Sequence, residues 1–287
     1  MRMRWAAIFF WLFACVAQPA FASSSPALQS LEQRLSWIAS ANPADVGIAA
    51  IDLATGEYVA VNGDTPYPMA STVKVAIAAN YLAQVEYGRR SLDDRIGGRS
   101  ARSLIDAMLI RSDNPATDLL LWDLGGPRVI QAWLDQHGLS GIRVDRNIAQ
   151  LLAARRDLQD VRDSSTPRAM VELLRRLDGG TMINQASRAY LVDVMGRCIT
   201  GKNRIRGMLP AYARVENKTG TLNGLATDVG YITLPDGRRV AIAVFARYGA
   251  DRPRVIAQAA RAVYEGFAAH RPAYPAPHYG AASYGAP

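Results

Sequence analysis

Lysine is nearly missing from this 287-residue chain. Lys74, Lys202 and Lys218 are the only three, and arginine supplies the rest of the 33 basic residues. A surface that needs only positive charge takes either residue. A site that must accept a proton cannot use Arg, whose guanidinium stays protonated, whereas a desolvated Lys can become neutral. The three lysines therefore mark the places where chemistry closed to Arg is to be sought.

Histidine is equally scarce: His137, His270 and His278. The last two fall in a Pro-, Gly-, Ala- and Tyr-containing C-terminal stretch with almost no large aliphatics, expected to be disordered. His137 precedes Gly138 after an amphipathic run, a helix C-terminal position. One usable His builds no multi-His zinc site and is poorly placed as the base of a Ser-His-Asp triad. Neither a metal nor a cofactor is expected. Cysteine appears twice, as Cys15 and Cys198. Once the N-terminal segment is removed, Cys198 has no partner and is expected to be a small buried apolar group. No Lys/Arg run with interleaved aromatics is present, so no nucleic-acid partner is expected.

The one long apolar stretch lies at the N-terminus. Arg2 and Arg4 precede an apolar run from Trp5 to Ala17, too short to span a bilayer comfortably, and Ala20-Phe21-Ala22 offers small residues where a signal peptidase reads. Residues 1–22 are expected to be a secretory signal cleaved before Ser23, which places the mature protein in the periplasm or outside the cell. An uncleaved anchor, and a lipoprotein site at Leu12-Phe13-Ala14-Cys15, are weaker readings.

What remains suffices for one large domain or two closely packed ones. Pro26 to Ala41 reads as a helix with Leu28, Leu31, Leu35 and Ile38 on one face. Val46 to Asp52 and Glu57 to Asn62 read as strands. From Ser71 the pattern is helical: 75–87, 103–110, 116–122, 128–137, a helix from Pro167 with Met170, Leu173, Leu174 and Leu177 inward, and 186–195. Strands return at 212–219, 228–234 and 238–246, the last two joined at Pro235-Asp236-Gly237, before a helix over 255–267. The order gives an α/β (α+β sandwich) fold class. One antiparallel sheet is built from both chain ends with flanking helices, and an all-helical domain is inserted between them. The expected division is 1–22 signal, 23–70 with 211–268 as the α/β domain, 71–210 as the helical domain and 269–287 as the tail. A monomer is expected.

Two of the three lysines sit in short motifs, with a third motif between them: Ser71-Thr72-Val73-Lys74, Ser112-Asp113-Asn114 and Lys218-Thr219-Gly220-Thr221. Ser71 and Lys74 are three apart at a helix start, hence on one face, with backbone N–H groups and the positive end of the helix dipole beside the hydroxyl. Lys74 can take the Ser71 proton, and a second cation nearby lowers its pKa. Ser112 can relay a proton to a leaving nitrogen, and Asn114 can hold Lys74 and donate to a substrate carbonyl. Taken alone, Ser112-Asp113-Asn114 reads equally as a helix cap. Lys218, Thr219 and Thr221 on a strand can grip a carboxylate. Gly220 would let a substrate lie along the strand edge, and the N–H groups of Ser71 and Thr221 would make an oxyanion hole. Taken alone, this is an edge strand with a polar rim. Ser-x-x-Lys by itself is weak; the three motifs in order are specific.

Those motifs are the signatures of the penicillin-recognising serine enzymes, and the chain apart from its two ends resembles a class A serine β-lactamase. Pro68-Met69-Ala70-Ser71 through Val75 is similar to that family's nucleophile segment. Arg111 through Asn114, with Leu119-Leu120-Leu121 and Gly125-Gly126-Pro127, is similar to its second-motif region. Thr200-Gly201-Lys202-Asn203-Arg204-Ile205-Arg206 resembles the segment before the last motif, which would make Lys202 structural. Asp145-Arg146 and Asp160-Val161-Arg162-Asp163 resemble the ends of the omega loop, implying an Arg146–Asp163 pair across its neck.

Two departures qualify the resemblance. The family's omega loop carries a Glu two residues after that Arg and an Asn four further on, which hold the hydrolytic water. Here those positions are Ile148 and Leu152, with Gln150 between them; counting from the loop's other end puts Gln150, which is no base, at the Glu position, and the loop is about two residues longer. Asp157 and Asp160 are the possible substitutes. Lys74 and Ser112 are also only 38 positions apart, closer than in the family, so a more open cleft is expected. The resemblance thus implies a serine hydrolase that opens β-lactam rings through an acyl-enzyme on Ser71, with impaired deacylation. The alternatives are a penicillin-binding D-Ala peptidase or esterase and a non-hydrolysing β-lactam or peptidoglycan sensor. The ligand in each case is a β-lactam or a D-Ala-type peptide. Arg252 and Arg254, opening the last helix, are further candidates for a substrate carboxylate, against the plainer reading of a solvated helix start.

Overall fold

The computed structural model describes residues 25–270. The expected signal, with Cys15, and residues 271–287 of the expected tail, with His278, lie outside the described residues.

Five strands make one antiparallel sheet: β1 (Asp45–Asp52), β2 (Tyr58–Val61), β3 (Val215–Leu222), β4 (Leu225–Thr233) and β5 (Arg239–Arg247), in the order β2-β1-β5-β4-β3. The helices are α1 (Pro26–Ser40), α2 (Lys74–Glu86), α3 (Ala101–Ile110), α4 (Asn114–Asp123), α5 (Pro127–Gln136), α6 (Ile148–Ala153), α7 (Pro167–Asp178), α8 (Gln185–Gly196) and α9 (Arg252–Ala269). The expected architecture is the one found: a mixed α/β fold with an antiparallel sheet drawn from both ends of the chain, and a helical domain.

The central strands read as unbroken apolar runs because both faces of the sheet are covered. Side chains alternate across a strand. On β5, Val240, Ile242, Val244 and Ala246 pack with Leu28, Leu31 and Leu35 of α1 and with Val255, Val263 and Phe267 of α9. The alternate set, Ala241, Ala243 and Phe245, packs with α2 and α7 through residues such as Val75, Met170 and Leu174. The Leu28/Leu31/Leu35/Ile38 stripe read from the sequence is the buried face of α1, and Ser25 caps that helix by accepting the Leu28 N–H.

The sequence-based strand limits need correction at the hairpin that matters most. β3 runs on to Leu222 and β4 starts at Leu225, with Leu222 opposite Leu225 and Asn223-Gly224 as a two-residue turn. Gly224 has φ +81°, the left-handed geometry such turns require, and Asn-Gly is their strongest local signal. Lys218 through Thr221 therefore lie inside a strand at the free edge of the sheet. Residues 269 and 270, expected in the tail, belong to the folded part. α9 continues through Ala269, and His270 Nε2 meets Glu57 Oε1 at 2.8 Å.

Arg238 ties three elements together. Its Nη1 donates to Asp52 Oδ2 at 2.6 Å, and its Nη2 donates to the carbonyls of Phe267 and His270 at the end of α9. Asp52 is fully buried. Removing one partner of a buried pair leaves an uncompensated charge and costs about 3–5 kcal/mol. Arg238→Met is expected to lower unfolding stability by about that amount in urea titration; a loss below about 1 kcal/mol, the worth of a surface pair, would show that the tie contributes little.

Candidate active site

The strand edge, the start of α2 and the start of α4 meet at one place. Ser71 lies in a 3-10 turn, Ala70–Val73, that runs directly into α2. The turn is anchored by the Met69 carbonyl, which accepts from Thr72 Oγ1 at 2.8 Å and Thr227 Oγ1 at 3.2 Å, while the Met69 N–H donates to Asp163 O at 2.9 Å. Ala70, immediately before Ser71, has φ +50°. A non-glycine residue in this region costs about 1–3 kcal/mol and persists where its surroundings hold it. Gly220 explains how close β3 comes. A Cβ there would lie 2.3 Å from Thr227 Oγ1 and 2.6 Å from the Met69 carbonyl oxygen. The glycine thus serves the packing of β3 on the Ser71 turn, a different job from leaving room for substrate.

Lys74 is the first residue of α2, one turn beyond Ser71, and Lys218 lies on β3; both are fully buried. Their ammonium groups converge on Ser112. Lys74 Nζ donates to Ser112 Oγ at 3.2 Å, to Ser112 O at 2.8 Å and to Asn114 Oδ1 at 2.7 Å. Lys218 Nζ donates to the same Ser112 Oγ at 2.9 Å and to Thr219 O at 2.8 Å. Ser112 is a second non-glycine residue in the left-handed region, at φ +59°. Asp113 caps α4 by accepting the Ala116 N–H at 2.7 Å, so the cap and the lysine site share one segment. Among the described residues, Ser71 Oγ makes no hydrogen bond.

Burial lowers the Lys74 pKa to about 7, and the charge on Lys218 pushes the same way, against Asp113 and Asp118. Burial likewise brings Lys218 to about 8. Behind β3, burial raises the Asp228 carboxyl to about 7 despite hydrogen bonds from Asn217 and the Ile205 N–H. A lysine near 7 is partly neutral at physiological pH and can accept a proton; a neighbouring lysine that stays charged can hold an anion.

The sequence did not single out Arg204. It is buried beneath β3, where Nη1 donates to Gly220 O at 2.8 Å and Thr227 O at 2.9 Å, and Nη2 donates to Thr221 Oγ1 at 2.6 Å. Its signal was there, two residues past Lys202 in a segment already noted. Lys202 itself is exposed and makes no hydrogen bond among the described residues, so the supporting role falls to Arg204. Arg252 donates to the Tyr248 carbonyl at 3.0 Å, and Arg254 faces Asp251 on the surface. Thr219 Oγ1 is 2.6 Å from Thr200 Oγ1, which in turn lies 3.3 Å from the Sγ of buried Cys198.

The loop from Arg146 to Asp163 is closed at its neck. Arg146 Nε donates to Asp163 Oδ2 at 2.6 Å, and Asp163 Oδ1 accepts the N–H groups of Asp145 and Arg146. Ile148 is buried in the apolar core, and Leu152 is 48% exposed. Gln150 is turned back onto its own helix, its side chain accepting the Asn147 N–H while Asn147 Oδ1 accepts the Gln150 N–H. Sequence reading treated this stretch as loop and missed α6, whose start is fixed by that capping box and by Asp118, which accepts from the Ile148 and Ala149 N–H groups. Asp160 is bound by Arg146 and Arg162, and its hydrogen bond from Arg162 holds it at about 2. Asp157 Oδ1 accepts the Gln159 N–H.

With this geometry in view, comparison with known proteins is informative. A profile of the beta-lactamase enzyme family matches residues 30–267. The carbapenem-hydrolyzing beta-lactamase KPC of Klebsiella oxytoca is 30% identical over 281 residues, covering 89% of this chain and 95% of that one. The extended-spectrum beta-lactamase PER-1 of Pseudomonas aeruginosa is 28% identical over 280 residues, covering 85% and 90%. An ancestral class A beta-lactamase of known structure superposes with a TM-score of 0.78 at 35% identity, covering 83% of this chain and all of the other.

Gly220→Ala tests the packing of β3 on the nucleophile turn. It is expected to cost about 1–3 kcal/mol in urea unfolding, the usual range for overpacking. A neutral substitution would mean that the turn and strand are not in contact.

Proposed function

The chain belongs to the beta-lactamase enzyme family, with class A enzymes among its relatives, and from that premise we propose that it opens β-lactam rings through an acyl-enzyme on Ser71 and releases the product slowly. The observation that carries this reading is the convergence of two buried lysines on Ser112 Oγ, one turn of helix from a serine whose hydroxyl is unengaged.

Lys74 in its neutral form takes the proton of Ser71 Oγ as that oxygen attacks the lactam carbonyl carbon. For this, one of its bonds to Ser112 or Asn114 turns toward Ser71. The N–H groups of Ser71 and Thr221 receive the developing oxyanion. As the C–N bond breaks, Ser112 gives its proton to the leaving nitrogen and recovers one from Lys74. Lys218 stays protonated and, with Thr219 and Thr221, holds the substrate carboxylate. Asn114 keeps Lys74 in place. Arg204 fixes the Gly220 carbonyl and the Thr221 hydroxyl.

Hydrolysis of the resulting ester needs a base beside a water. Ile148 and Leu152 supply none, and Gln150 is committed to its helix cap. Asp160, paired with two arginines and held near 2, is a poor proton acceptor at neutral pH. Slow deacylation is therefore expected. The N-terminal segment supports export to the periplasm or the medium, where a β-lactam or a D-Ala-type peptide would be met by a monomeric protein.

Ser71→Ala is expected to abolish the covalent adduct seen by intact mass after incubation with penicillin; an adduct that survives the substitution would overturn the reading. The acylation rate is expected to be bell-shaped in pH. It rises as Lys74 loses its proton through about 7 and falls as Lys218 loses its proton through about 8, the two apparent values belonging to the coupled pair. Because the Lys218 charge lowers Lys74, Lys218→Gln should move the acidic limb to higher pH. An unmoved limb would place the base elsewhere.

A further inference from the structure

The loop that packs on Ala70 and Leu222 through Leu158 carries charge that the proposed mechanism leaves unused. Between Arg146 and Asp163 the loop holds Arg155, Arg156 and Arg162 against Asp157 and Asp160. Arg146 is spent on Asp160 and Asp163, and Arg162 on Asp160. Arg155 and Arg156 are exposed, and neither makes a hydrogen bond or ion pair among the described residues. The nearest acid in sequence is Asp157, whose Oδ1 is taken by the Gln159 N–H.

The fold fixes where these two guanidinium groups stand. Leu158 is buried in a small cluster with Ala70, Leu222 and Leu225. Ala70 is the neighbour of Ser71, and Leu222 follows Thr221 on β3. Arg156 and Arg155 lie two and three residues before Leu158, so their Cα atoms are within about 7 and 11 Å of it at full extension. Both line a recess shared with Pro68, Leu222, Asp157 and Asp160, the last of these already paired with Arg146 and Arg162. Along β3 the order is Lys218, Thr219, Thr221, Leu222. On the reading above, a substrate with its carboxylate at Lys218 and its carbonyl at Ser71 and Thr221 would end beside Leu222, which lines the recess that holds the two arginines.

We propose that Arg155 and Arg156 select substrates whose acyl side chain carries an anionic group. The selection acts on the site described above and rests on that reading. An exposed Arg–carboxylate pair contributes little singly and is screened by salt, so two together are expected to favour the anionic side chain about fivefold at low ionic strength.

The test compares benzylpenicillin with its analogue bearing a carboxylate on the carbon next to the phenyl ring, using the second-order rate of acylation of the full-length mature protein. The wild-type chain should react about fivefold faster with the anionic analogue at low salt, and raising NaCl should erode the preference. The double variant Arg155→Gln with Arg156→Gln should bring the ratio near one while benzylpenicillin reacts as before. The double variant Arg155→Glu with Arg156→Glu should reverse the preference. A wild-type ratio near one, a ratio that both double variants leave unchanged, or an equal slowing of both penicillins would overturn the inference alone. Absence of acylation by either penicillin would overturn the reading of Ser71 and this inference with it.

Discussion

Two ammonium groups buried on one hydroxyl set the terms for the rest of the site. Lys74 and Lys218 come from opposite parts of the chain, and both reach Ser112 Oγ out of contact with water. Like charges at such range repel, and burial penalises each further. The surroundings offset this with carbonyl and amide oxygens: Ser112 O and Asn114 Oδ1 for Lys74, Thr219 O for Lys218. What cost remains appears as lowered lysine pKa values. The left-handed backbone at Ala70 and Ser112, the glycine at position 220 and the buried Arg204 all serve to hold the Ser71 turn, the α4 start and the β3 edge at this one point.

The loop beneath the site separates structure from chemistry. Its neck pair, Arg146 with Asp163, is present, and so is the anchoring of α6 by Asp118. At position 148, two residues past the Arg146 of the neck pair, the chain has Ile148, which contributes apolar packing to the core. The loop thus has its closure and its helix, while position 148 stabilises the fold and offers no group to activate water. Slow release of the acyl group, as proposed, is what that side chain predicts.

Much of this was legible in the sequence because the signals were local. The stripe of leucines on α1, the inward face of α7 and the three short motifs are each defined by spacing within one element. The scarcity of lysine helped, since it left Lys74 and Lys218 as conspicuous candidates. What was not legible depended on tertiary context. The apolar and β-branched runs place these strands at 212–219 and 228–234, short of the Asn223-Gly224 turn, because Gly220 weakens the local strand signal and is explained only when the Met69 turn packs on it. α6 is only six residues long and owes its start to Asp118 from another helix. Arg204 is one arginine among thirty, and only the fold shows that it is turned inward. His270 was read with the tail, and its contact with Glu57 spans most of the chain.

The most direct measurement is the fate of a single acyl group. Mature protein would be mixed with a chromogenic cephalosporin in stopped flow, and with penicillin followed by intact mass over time. A stoichiometric burst, a slow steady state and an adduct on Ser71 carrying the whole mass of the penicillin are the expected results. Steady turnover with no accumulating adduct would contradict slow deacylation and require a base other than Ile148, Gln150, Leu152 or Asp160, with Asp157 the first to be tested.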